Sequence, residues 1–170
     1  AVEMAKAHKA HIMVAVLGEE EKLLERGKLF TKAMAVCCKQ KYATGVYTSG
    51  VVFEPRFYEG LADMLKEDEL PIFNWVWFGL YRSEGGLNGY TYGMDVFGKE
   101  EMEVLNTDAE PEELRDFLAS LASYVLACDV TLQDGETIGF SADDKHTITR
   151  SPGVSLPEEQ MTLKIGYEPI

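Results

Sequence analysis

Apolar residues in the first half of the chain fall into short runs that change period. Residues 8–18 contain IMVAVL, a β-branched run closed by Gly18, which predicts a buried strand. Residues 19–40 then read as a helix. Leu23, Gly27, Phe30, Met34 and Cys37 recur at helical spacing, and Leu24 and Cys38 widen the stripe. Glu19, Glu20 and Glu21 at its start, with Lys39 and Lys41 at its end, suit the helix dipole. Residues 44–49 form a short predicted strand ended by a Ser49-Gly50 turn. Glu54-Pro55 opens a second helix, with proline where a missing N–H is harmless; its apolar stripe is Phe57, Leu61, Met64 and Leu65. Pro71 stops any continuation.

Residues 71–98, PIFNWVWFGLYRSEGGLNGYTYGMDVFG, hold both tryptophans and eight of the eighteen aromatic residues. Breaks at Gly85-Gly86 and Asn88-Gly89 predict two strands and their connection. On the first strand Ile72, Asn74, Val76, Phe78 and Leu80 share one face, and Phe73, Trp75, Trp77, Gly79 and Tyr81 the other. A strand apolar on both faces is expected to be covered on both, which places this stretch in the middle of the fold.

A third strand is predicted at residues 102–105. Thr107-x-x-Glu110 before Pro111 has the form of a capping box. The helix that follows, residues 111–128, turns Leu114, Phe117, Leu118, Leu121, Tyr124 and Val125 inward. In the tail, Val130 and Leu132 oppose Ile138 and Phe140 across Asp134-Gly135, a hairpin signal. Residues 146–150 and 161–167 are further strands, separated by a Pro152-Gly153 turn. The element order predicts an α+β fold: a mixed, largely antiparallel sheet with about three helices packed mainly on one face.

Composition narrows the class. A chain of 170 residues fits a single α+β domain spanning residues 1–170. Such a chain can bury roughly 70 % of its unfolded surface without disulfide or metal staples. The abrupt AVEMAKAHKAH opening leads us to expect the C-terminal part of a longer protein. No apolar run approaches the ~20 residues of a membrane helix, so no membrane partner is expected. Sixteen basic residues against 29 acidic ones give a net charge of -13, a field that disfavours nucleic acid. Cys37, Cys38 and Cys128 make neither a disulfide framework nor a zinc spacing, which suits a reducing cytoplasm.

The arrangement of Leu70-Pro71, the aromatic strand, Gly89-x-Thr91-x-Gly93, Phe97-Gly98 and Glu101-x-Glu103 resembles the bacterial family catalogued as domain of unknown function 4261. His11 ahead of the apolar run and GETIGF at residues 135–140 fit the same pattern, so the resemblance extends over nearly the whole chain. It implies a bacterial α+β domain often preceded by further sequence. It implies no catalytic residue and no ligand.

Candidate chemistry therefore rests on the residues alone. Around Gly93, Thr91 and Asp95 supply polar groups where a ligand could approach the backbone; equally, Gly93 could admit a bulky neighbour such as Trp75 or Trp77. Glu101 and Glu103 would share one face of a strand, as a cation or acid–base pair, or as two solvated carboxylates. His8, His11 and His146 offer at most an irregular metal set, and His11 reads better as a histidine hydrogen-bonded at a sheet edge. Cys37 and Cys38 lie on an apolar stripe, where cysteine behaves as a small hydrophobe. Asp143, Asp144, Lys145, His146 and Arg150 form the densest polar group of the tail. No phosphate loop, nucleophile elbow, zinc-helix or dinucleotide motif occurs, so no cofactor and no metal is expected. The leading expectation is a non-enzymatic, cytoplasmic domain that binds a partner protein, of undetermined oligomeric state. The alternative is a small-molecule hydrolase with a site near Thr91, Asp95, Glu101 and His146, with Glu103 as a further ligand-binding candidate.

Overall fold

The computed structural model describes residues 2–141 and 145–167. Its contacts divide the chain into two compact units, Ala1–Trp77 and Phe78–Ile170. The architecture is α+β, with a two-stranded sheet and a six-stranded mixed sheet.

The first unit contains α1 (Val2–Ala7), α2 (Leu23–Cys38), the strands β1 (Val46–Thr48) and β2 (Val51–Phe53), α3 (Pro55–Ala62) and the single turn α4 (Ile72–Trp75). Ser49 and Gly50 both take positive φ, 50° and 73°, as the tight turn of a β1–β2 hairpin requires. Glu54 caps α3 by accepting from the Phe57 amide at 2.9 Å. The core joins Cys38, Val46, Phe53 and Tyr58, with Met34 and Val51 packed against them. At its polar centre the Trp75 indole donates to Thr31 Oγ1 at 2.7 Å, and Thr31 donates to the Gly27 carbonyl.

Three expectations fail in this unit. Residues 12–17 form no strand: they have no pairing partner among the described strands, and Ile12, Met13 and Leu17 are 79%, 86% and 90% exposed. The buried face of α3 is Pro55, Tyr58 and Ala62, while Phe57 is exposed. Residues 72–75 are a helical turn: the buried apolar residues Ile72, Trp75 and Val76 satisfy the i, i+3, i+4 period as well as any alternation. Asn74 is buried in that turn and donates to the Tyr58 carbonyl at 3.2 Å.

The second sheet has the order β3-β4-β5-β8-β7-β6, formed by Trp77–Ser83, Gly86–Tyr92, Met102–Thr107, Met161–Ile165, His146–Pro152 and Thr137–Ile138. β4 and β5 are antiparallel, β5 and β8 parallel, and β8, β7 and β6 antiparallel in turn. Helix α5 (Pro111–Ala127) buries Leu114, Phe117, Leu118, Leu121, Ala122 and Val125. It packs on β4, where a Cβ at Gly89 would stand only 2.9 Å from Leu118 Cδ1.

The first strand of the aromatic stretch is thus an edge, while its second, β4, lies inside the sheet. β3 ends the sheet, and Trp77 and Tyr81 are 46% and 39% exposed, so the strand is not covered on both faces. Gly79 has a packing reason instead: the Tyr90 ring lies where its Cβ would be. Thr107 is not the cap of α5. Glu110 holds that position, and the Thr107 hydroxyl accepts from the Ala109 amide. Tyr124 on α5 is exposed rather than inward. The Asp134-Gly135 turn forms, but residues 130–132 do not pair across it. The Val130 amide is committed to the Val125 carbonyl, and Thr137 and Ile138 pair with Thr147 and His146 of β7.

Candidate functional site

Strand β5 organises the polar interior of the second unit. Glu101, just before it, is 1% exposed, and Glu103, within it, is fully buried. A buried carboxylate must find donors, and each finds them in a loop.

Glu101 faces the turn that leaves β4. Gly93 takes a φ of 119°, and the following single turn, Asp95–Phe97, closes at Gly98 with a φ of 70°. This backbone path aims successive amides inward, the concavity that favours an anion. Gly93 N donates to Glu101 Oε1 at 2.6 Å, Met94 N at 2.9 Å and Asp95 N at 3.4 Å. Thr91 donates its hydroxyl to Glu101 Oε2 at 2.7 Å and accepts from the Met102 amide at 2.8 Å, joining the clamp to β5. Burial pushes the Glu101 carboxyl above the ordinary glutamate range, against the opposing pull of these hydrogen bonds.

Glu103 faces the connection between β7 and β8. The amides of Val154, Ser155 and Leu156 donate to its carboxylate at 2.9 to 3.2 Å. Lys164, its cross-strand partner on β8, places Nζ 3.1 Å from Oε2. Lys164 also donates to the Ser151 and Pro152 carbonyls, so ammonium and carboxylate are both satisfied. Tyr81 and Ser155 exchange a hydroxyl hydrogen bond at 3.1 Å, tying the same loop to β3.

The residues expected to form one site therefore separate. Thr91 and Glu101 do meet, and Asp95 joins them through its amide while its side chain is exposed. Glu103 serves a different loop. His146 begins β7, three strand spacings or about 14 Å from β4. Its Nδ1 lies 2.9 Å from the Gly166 carbonyl, and its ring packs on Phe117 and Tyr167. Among the described residues, the donors to Glu101 are not the donors to Glu103. Lys164 and the loop amides escaped sequence reasoning. The signal for Lys164 was a lone cation inside the apolar run MTLKI.

The remaining candidates are modest. Arg150 forks onto Glu100, with Nη2 at 2.6 Å from Oε1, and its amide donates to Asp134, which accounts for that polar part of the tail. Asp143 and Asp144 lie outside the described residues. Burial pushes the Cys38 thiol up to about 11, whereas Cys128 is exposed. Among the described residues no group of three or more His, Cys, Asp or Glu is placed to hold a metal ion. No described helix is long and apolar enough to cross a membrane. The geometry as a whole supplies donors to two buried carboxylates and fixes two loops.

A sheet whose central strand clamps a loop through each of two glutamates defines the second unit structurally. Residues 90–166 match the model of the family described as Domain of unknown function (DUF4261). The match contains both clamps in full and bears out the resemblance carried by Gly93, Phe97-Gly98 and Glu101-x-Glu103. It does not extend to Leu70-Pro71 or His11. No curated protein and no solved structure matches the chain.

Proposed function

We propose that the chain is a non-enzymatic protein-interaction module, working in a bacterial cytoplasm as part of a longer protein. One observation carries this reading: the carboxylates best suited to chemistry are consumed in holding loops. Glu101 and Glu103 fix residues 93–95 and 154–156 from beneath, while Val96 and Val154 are 64% and 61% exposed on the same loops. A loop held rigid before it meets a partner loses less entropy on binding. The two loops precede β5 and β8, which run parallel, so they emerge from the same end of the sheet. Asp95, Glu158 and Glu159 are exposed on these loops, and a partner of basic character fits them.

The test is affinity capture with the full-length protein in its own host, comparing wild type with Val96→Asp and Val154→Asp. The expected result is a stoichiometric partner retained by wild type, lost from both variants and released by salt. Retention by both variants would show that the loop tips are not the surface.

A further inference from the structure

We draw no further inference here: the strongest candidate, the exposed surface patch of Tyr81 and Tyr92 on the neighbouring strands β3 and β4, carries nothing, because no feature of the structure shows what covers it.

Discussion

Replacing Glu101 separates its role as a hydrogen-bond acceptor from its charge. In Glu101→Ala the amides of Gly93 and Met94, held at 2.6 and 2.9 Å, lose their acceptor inside a buried site. An orphaned buried donor costs about 1–3 kcal/mol. The Asp95 amide, at 3.4 Å and partly accessible, is expected to contribute little. Thr91 keeps its bond from Met102, and the removal of a desolvated charge offsets part of the loss. The net expectation is about 2–4 kcal/mol. In Glu101→Gln the side-chain oxygen still accepts from the two amides, and the new NH2 can donate to Thr91 Oγ1. That is the pattern of the protonated acid, so the expected change is below about 1 kcal/mol. The pH dependence follows in sign. A carboxyl whose folded pKa is raised binds its proton more readily in the fold than in the unfolded chain. Its contribution is therefore fullest below the ordinary glutamate range and is lost as pH rises through the raised value. Wild type should accordingly lose stability relative to Glu101→Gln as pH climbs out of that range. Urea unfolding followed by far-UV circular dichroism reads the free energies, and hydrogen exchange over residues 91–104 locates them. A Gln variant as unstable as the Ala variant would refute the reasoning, as would a difference between wild type and Gln that ignores pH.

Glu103→Ala strands Lys164 and three loop amides, and is expected to cost about 3–5 kcal/mol in the same assay, with faster exchange at residues 153–157. Unchanged exchange there would show that the loop is held by other means. Gly79→Ala puts a methyl where the Tyr90 ring lies and is expected to destabilise by about 1–3 kcal/mol; a neutral result would mean that the ring swings aside freely. In thiol labelling near pH 8, Cys128 is expected to react first and Cys38 only on unfolding, because its thiol is buried and pushed up to about 11. Mass spectrometry of the labelled peptides checks the order.

Local chemistry was legible from the residues. The Ser49-Gly50 turn, the Pro55 and Pro111 helix starts and most of the inward stripe of α5 follow from turn, cap and period rules, whereas the strand β2 that makes the turn a hairpin was not legible. Long-range pairing was not. Both tryptophan-bearing turns of phrase in the sequence, IFNW and WFGLY, read as one strand because alternation and the helical period coincide over so short a span, and only tertiary contacts divide them. The IMVAVL run shows the reverse case, since strand propensity is realised only against a partner. His146 looked available because nothing nearby in sequence occupies it; Gly166, Phe117 and Tyr167 come from distant elements.

Glu101 and Glu103 lie two residues apart and serve different loops. On paper Glu101-x-Glu103 is a pair of like charges, and two carboxylates close together suggest a cation or a shared proton. Their donors lie elsewhere in the chain: residues 91–95 for one, and residues 154–156 with Lys164 for the other. A carboxylate that already accepts from several fixed amides has few lone pairs left for a substrate or a metal, and displacing those amides would open the loop it holds. The same bonds that remove the glutamates from chemistry give the loops their shape. The stretch that matches the family, residues 90–166, runs from the first clamp to the end of the strand carrying Lys164. What that stretch encodes is a sheet with two loops fixed to its central strand.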